Sequence, residues 1–379
     1  MKIGLYGGTF NPPHNTHVNI ARQAVEQLGL DKLIVIPAGL PPHKFCAMDK
    51  QARYDMACLA FNGIAEVSDV ELNRTGKTYT SDTVKYFANL YPQDKLFFLV
   101  GGDSLEHFAE WHCPEEILRY VTLAVAARGH ELTSEQAKKF RSDYGCDYAE
   151  VVVSPDDVGS TEIRLRYNFG LDVTDVPPVV DEYIRKNGLY TEYLPLATKL
   201  RTYLTDKRFL HTFYVVKRGL ELARDEERDK VFVACLLHDC AKYIAPDNYP
   251  KYGFVRPSNM PNSVVHAFLG KLVARQDFGI EDEEILDAIE YHCTAKPDMS
   301  RLAKIVYVAD KTEQTRPYPT AHLLVGTLDD MFVNCLVEAN DYCLKNHVDD
   351  VYPLTLQALR YYAPQVCETM SQDMTVSKK

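Results

Sequence analysis

A chain of 379 residues is longer than one hydrophobic core usually organises, so two domains are expected. With 46% apolar and 25% charged residues it has the make-up of an ordinary globular protein, which excludes fibrous and intrinsically disordered classes. A formal net charge of −11 argues against a nucleic-acid-binding surface, although helix N-termini and a few local cations can still hold small phosphorylated ligands.

The first half alternates short β-branched runs, at 2–6, 33–37, 65–72, 96–100, 121–126 and 150–153, with helical stretches such as 16–28, 50–61 and 80–90. That alternation predicts an α/β, Rossmann-like parallel sheet covered on both faces, with ligands beyond the carboxyl ends of its strands. A small helix over 178–186 and the stop signal Asn187-Gly188 precede a boundary within 190–195. From Ala197 onward apolar residues recur at helical spacing, over 209–224, 231–243, 263–278, 283–292 and 299–311, so the second domain reads as all-α. The two domains are taken as 1–192 and 196–370. The ten cysteines are scattered, with no CxxC pair or zinc-finger spacing, which fits reduced thiols. No apolar run approaches the roughly 20 residues of a membrane helix, and no targeting segment stands out. The expectation is a cytoplasmic protein without nucleic-acid or membrane partners.

The first strand runs into Gly7-Gly8-Thr9-Phe10-Asn11-Pro12-Pro13-His14-Asn15-Thr16-His17, followed at once by an amphipathic helix. Gly7 and Gly8 are expected to let the backbone approach a phosphate and adopt turns closed to other residues. A helix starting near Thr16 aims unpaired N–H groups and a positive dipole end at that spot. His14 and His17 can donate to phosphate oxygens as charge develops. The pattern is neither GxxxxGK[ST] nor GxGxxG, which excludes a P-loop and the dinucleotide-oxidoreductase fingerprint. A Gly-Gly pair or two histidines alone would be an ordinary strand exit; the whole string at a strand–helix junction is the specific signal.

That string resembles the ATP-binding signature of the bacterial nicotinate-nucleotide adenylyltransferases. Ser160-Thr161-Glu162-Ile163-Arg164 is a second match, its hydroxyls, amides and guanidinium fork suiting the outer phosphates of ATP. The family usually has serine where Gly159 stands, a departure that removes one hydroxyl but leaves the amides and Arg164. The resemblance implies that Gly7, Gly8, Thr9, Phe10, His14, His17, Ser160, Thr161 and Arg164 bind ATP, and that Lys44 closes on the triphosphate. It assigns nicotinate mononucleotide to Thr80, within Thr78-Tyr79-Thr80, to Asp103, and to Trp111 stacked on the pyridine ring. In the implied reaction the mononucleotide phosphate attacks the α-phosphorus of ATP and pyrophosphate leaves with Mg²⁺. His14, His17, Lys44 and Arg164 would act by positioning and charge stabilisation. Related transferases share the ATP signature, so phosphopantetheine or a phosphosugar stands as an alternative acceptor.

The helical half holds His211, His238-Asp239, His266, His292 and Asp310. Imidazole and carboxylate without thiolate suit a borderline-to-hard divalent metal such as iron, manganese or zinc. Six such ligands exceed one tetrahedral site and suggest two metals sharing a carboxylate, an arrangement that hydrolyses phosphoesters and phosphoanhydrides. A lone helical histidine is usually a core residue, but adjacent His238 and Asp239 among leucine and alanine are costly without a partner. The constellation resembles the HD-domain superfamily. It lies closest to the YqeK-type symmetrical diadenosine tetraphosphate hydrolases, through LLHDCAKY, His266–Gly270, IEYHCT and KIVYVAD. The resemblance implies one ion among His211, His238, Asp239 and Asp310 and a second at His266 and His292, with Asp239 bridging. It also implies iron as the metal, a catalytic role for Asp239, and Lys242 as the phosphate contact, with Glu313 and Arg316 as weaker candidates. The family splits diadenosine tetraphosphate (Ap4A) into two ADP. An alternative keeps the transferase active and makes the helical half a nucleotide-sensing module or a hydrolase of another nucleotide. Partners are therefore expected to be ATP, nicotinate mononucleotide and Ap4A, in a chain compatible with homo-oligomer formation.

Overall fold

The computed structural model describes residues 1–40, 48–128, 134–154, 158–345 and 351–365. It divides into two compact units, Met1–Glu192 and Tyr193–Lys379.

In the first unit, six strands form one parallel sheet: β1 (Lys2–Gly8), β2 (Lys32–Pro37), β3 (Glu66–Val67), β4 (Lys95–Gly101), β5 (Thr122–Arg128) and β6 (Ala149–Val153), in the order β3-β2-β1-β4-β5-β6. The helices are α1 (Asn15–Leu28), α2 (Lys50–Ala60), α3 (Thr80–Leu90), α4 (Gly102–Glu106), α5 (Pro114–Tyr120), α6 (Ser134–Tyr144), α7 (Ser160–Asn168) and α8 (Pro178–Lys186). The strands read as near-continuous apolar runs because both faces are covered. Ile3 and Leu5 enter one core with Ile34, Phe98 and Val125, while Tyr6 enters the other with Val35, Leu99 and Ala124. Strand order reverses between β1 and β4, which opens a crevice at their carboxyl ends. The strand expected over 65–72 pairs only at Glu66–Val67. Beyond it the chain turns on Asp69, whose carbonyl accepts from Leu72 N–H and whose carboxylate accepts from Asn73 Nδ2.

The second unit has no strand among its described residues. Its helices are α9 (Leu194–Arg201), α10 (Asp206–Leu222), α11 (Arg228–Leu237), α12 (Asn262–Gln276), α13 (Glu283–Tyr291), α14 (Arg301–Thr312), α15 (Leu328–Lys345) and α16 (Pro353–Tyr362). Helix α11 is packed by α10, α13 and α14 and buries Val231, Phe232 and the run Ala234 to Leu237, so it is apolar nearly all round. The helix expected over 231–243 stops at Leu237. There i→i+3 turns take over, Cys240 N–H donating to Leu237 O and Lys242 N–H to Asp239 O. Among the described residues no helix is long and apolar enough to cross a membrane.

Candidate functional sites

In the first unit a cavity of about 430 Å³ opens at the carboxyl ends of β1 and β4, lined by Gly7, Gly8, Thr9, Thr78, Thr80, Gly101, Trp111 and His112 among others. Neither Gly7 nor Gly8 uses a positive φ, so the expectation of special turn geometry there is corrected. What requires glycine is close packing: a Cβ would lie 3.2 Å from Phe98 Cζ at Gly7 and 2.9 Å from Phe10 Cζ at Gly8. The left-handed residue is Phe10 itself, at φ 46°. Its ring, 1% exposed, sits edge-on against Tyr6, Phe61 and His17 beneath the loop, which leaves its backbone as the part able to meet a ligand.

His14 caps α1, and its backbone N–H donates to His17 Nδ1 at 3.2 Å. Because Nδ1 accepts, a neutral His17 ring carries its proton on Nε2. The two imidazoles stand with centroids 3.8 Å apart. The start of α7, 148 residues away in sequence, docks on the same loop through Ser160 Oγ, which donates to Pro12 O at 3.0 Å. Arg164 Nη1 donates to Asn11 O at 2.7 Å and Nη2 to Thr161 Oγ1 at 3.1 Å. Gly159 is the N-cap of α7, and a Cβ there would meet nothing within 4 Å, so the serine of the resembled family fits this backbone. Thr80 and Trp111 line the cavity, Trp111 packing on Phe98 and Phe108. Lys44 lies outside the described residues; Asp103 falls in α4, and its side chain is likewise outside them.

Three further residues organise this site. Arg53, 1% exposed, donates from Nη1 to Thr9 O at 3.0 Å and from Nη2 to Gly39 O at 3.2 Å. Its signal in the sequence was a charge on the stripe of α2 that also buries Met56, Ala57 and Ala60. Tyr190 OH donates to Asn11 Oδ1 at 2.6 Å, a contact across 179 residues that local pattern does not reveal. Thr78 Oγ1 is buried at the cavity without a hydrogen-bond partner, so a ligand acceptor there would satisfy it.

In the second unit, the two oxygens of buried Asp239 serve two clusters. Oδ2 lies 2.9 Å from Arg208 Nη1, 3.5 Å from His238 Nε2 and 4.0 Å from His211 Nε2. Oδ1 lies 3.0 Å from His266 Nε2 and 3.8 Å from both His292 Nε2 and Lys242 Nζ. Asp310 Oδ1 closes the first cluster at 3.2 Å from His211 Nε2, 3.8 Å from His238 Nε2 and 2.6 Å from Arg316 Nη2. Burial opposes charge on both aspartates, but His238 and His266 beside Asp239, and His211, Arg316 and Lys311 around Asp310, hold both carboxyls well below the ordinary range. Burial likewise opposes charge on His211, yet Asp310 and Glu313 raise it above the usual histidine value.

The rings are held so that their outer nitrogens face the carboxylates. His238 Nδ1 lies 2.7 Å from Cys235 O and His292 Nδ1 2.8 Å from Ile289 O. A carbonyl only accepts, so Nδ1 carries a proton in each, and Nε2 is the nitrogen through which a neutral ring would present its lone pair. Glu313, 1% exposed, holds His211 from behind at 3.2 Å from Nδ1. His211 Nε2 and His238 Nε2 are buried without a hydrogen-bond partner. Imidazole nitrogens and carboxylate oxygens converging on one buried point, with His211, His238 and Asp310 offering donor atoms within 4.8 Å of one another, are a donor set that fits a divalent metal. Arg208, absent from the sequence reading, carries only an ordinary helical arginine's signal. Lys242 lines a neighbouring cavity of about 270 Å³ with Tyr249, Asn262, Ser263 and His266.

Comparison with known proteins matches residues 5–166 to the cytidylyltransferase-like family and residues 208–315 to the HD domain. A probable nicotinate-nucleotide adenylyltransferase/Ap4A hydrolase of Mycoplasma genitalium is 29% identical over 326 residues, which are 83% of this chain and 88% of the relative. A probable nicotinate-nucleotide adenylyltransferase of Thermus thermophilus is 40% identical over 197 residues, covering 50% of this chain and 100% of the relative. A crystal structure described as a predicted HD superfamily hydrolase involved in NAD metabolism, from Clostridium acetobutylicum, is 28% identical with a TM-score of 0.42, over 46% of this chain and 98% of that one.

Proposed function

We propose, for a chain that belongs through its first unit to the nicotinate-nucleotide adenylyltransferase family and carries an HD domain in its second, that both units are active enzymes. Residues 1–192 would join ATP and nicotinate mononucleotide into nicotinate adenine dinucleotide with release of diphosphate, and residues 196–370 would hydrolyse Ap4A symmetrically to two ADP. The observation behind the first activity is the convergence of the loop from Gly7 to His14 with the start of α7 beside the cavity that holds Thr80 and Trp111. Backbone amides, His14, His17 and Arg164 would orient the triphosphate for in-line attack and take up its developing charge, with Mg²⁺ accompanying the pyrophosphate and Lys44 closing over it. Trp111 and Thr80, with Asp103, would select the pyridine nucleotide over another acceptor.

For the second activity, His211, His238, Asp239 and Asp310 would hold one ion and Asp239, His266 and His292 the other. Such ions, iron-type in this reading, would polarise a phosphoryl oxygen and would supply hydroxide near neutral pH. Arg208 and Arg316 would hold the two carboxylates in place, and Lys242 would meet a phosphate entering from its cavity. The name of the Mycoplasma relative supports Ap4A as the substrate. A sensing module is disfavoured because both ends of Asp239 keep histidine donors. The test is to incubate the full chain with ATP, Mg²⁺ and nicotinate mononucleotide, and separately with Ap4A, and identify products. Failure to form the dinucleotide, or release of ATP plus AMP rather than two ADP, would overturn the corresponding half.

A further inference from the structure

We propose that Cys293 is a protein ligand of the second metal position, joining His266, His292 and Asp239, so that this position holds a thiolate-favouring divalent ion such as zinc. The first position stays with nitrogen and oxygen donors. The inference rests on the two-metal reading above and changes its chemistry, since a donor set of imidazole and carboxylate alone suited iron, manganese or zinc at both positions.

Cys293 follows His292 directly at the end of α13, and its Sγ lies 3.2 Å from His292 Nε2 and 3.3 Å from His266 Nε2. Asp239 Oδ1 lies 3.0 Å from His266 Nε2 and 3.8 Å from His292 Nε2. A tetrahedral ion with bonds of about 2.0 Å to nitrogen or oxygen and about 2.3 Å to sulfur spaces its donors roughly 3.3–3.6 Å apart. The four separations bracket that spacing, and His266, His292 and Cys293 offer donor atoms that all lie within 4.8 Å of one another, so one ion can reach these three, with Asp239 Oδ1 beside both imidazoles. His266 and His292 are 6% and 1% exposed, so both imidazoles are held within the protein.

The other cysteines nearby are differently placed. Cys235 and Cys240 are wholly buried; burial pushes both thiols up, and Cys240 Sγ donates to Gly270 O at 3.4 Å. Cys293 is half-buried, with its sulfur against two imidazoles. Lys242 Nζ stands 3.1 Å from His266 Nε2, beside the donors a dication would occupy. Charge repulsion from a bound ion drives that ammonium, on its long and part-exposed chain, toward the adjoining cavity, where an incoming phosphate would meet it. Ligation replaces the S–H bond by a sulfur–metal bond, the proton leaving to solvent. Thiolate shifts preference toward zinc and away from harder ions.

The experiment uses the full chain stripped of metal and titrated with Co²⁺, read by absorption and by ions bound per chain. The expected result is a near-ultraviolet sulfur-to-cobalt charge-transfer band growing with one of two ions. Cys293→Ser should lose the band and bind that ion at least about tenfold more weakly. A second measurement needs no variant: Zn²⁺ should shield Cys293 of the wild-type chain from iodoacetamide, read by peptide mapping. Two ions bound without the band, or equal alkylation of Cys293 with and without zinc, would eliminate the cysteine and leave the two-metal centre standing. Absence of binding at either position would eliminate both readings.

Discussion

On the functions proposed for them, the two units present opposite solutions to handling phosphate. The first lines a cavity with backbone, hydroxyls and aromatic rings, and holds the adjoining loop with one buried arginine, Arg53. The second buries a cage of ionisable groups, His238, Asp239, His266, His292 and Asp310, each less than a tenth exposed. The lesson is that a backbone cradle works through approach and dipole, so its stability and its chemistry are nearly separable. A buried charged cage couples them, since each member is tolerated only through the others.

That contrast is most directly broken by exchanging single residues between assays. Asp239→Asn should cut phosphoanhydride hydrolysis by roughly 10³-fold or more while adenylyl transfer stays unchanged, because the carboxylate proposed to bridge the two ions is lost. His17→Ala should do the reverse, lowering adenylyl transfer about 10²–10³-fold with hydrolysis intact. Loss of both activities in either variant would show that the units are not chemically independent.

The next effect sharpens the account of the first unit. Arg53→Met leaves the carbonyls of Thr9 and Gly39 without their donors and should destabilise that unit by about 2–3 kcal/mol. Trp111, the one tryptophan of the chain, lies in that unit, so its fluorescence during denaturation reports the loss there. An unchanged midpoint would show that the buried guanidinium does not hold the loop.

The smallest effect concerns the second unit away from its cage. Asp277 accepts from Tyr203 at 2.9 Å and Tyr252 at 2.7 Å; burial would raise its carboxyl, but those hydroxyls and Lys251 lower it below the usual value. A carboxyl with a depressed folded-state pKa stabilises above its unfolded value and loses that contribution as pH falls through the folded one. Asp277→Asn should therefore cost up to about 1 kcal/mol at neutral pH, and the difference should shrink below about pH 4. Helical circular dichroism during urea unfolding measures it, and a difference independent of pH would contradict the assignment.

How much of this was legible in the chain depends on how local each signal is. Alternation of strand and helix, the glycine-rich string ending in His17, and His238-Asp239 within an apolar run are each set by neighbours within a few residues, so they could be read directly. The expected strand over 65–72 failed because Asp69 turns the chain after two paired residues, a competition between side chain and ladder that periodicity does not register. The expected helix over 231–243 failed at Leu237 for a related reason, since apolar spacing continues where the backbone has already turned.

By itself the sequence determined the two-part architecture, the family of the first unit and the residue types able to hold phosphate and metal, because those rest on composition, period and motif. Only the tertiary structure decided that Phe10 packs beneath the loop while Arg53 and Tyr190 tie it down, and that Asp239 shows one oxygen to each cluster of histidines. It alone brought Cys293 against His266, 27 positions away. These are relations between side chains distant along the chain, and burial and packing, which no local pattern encodes, bring them together.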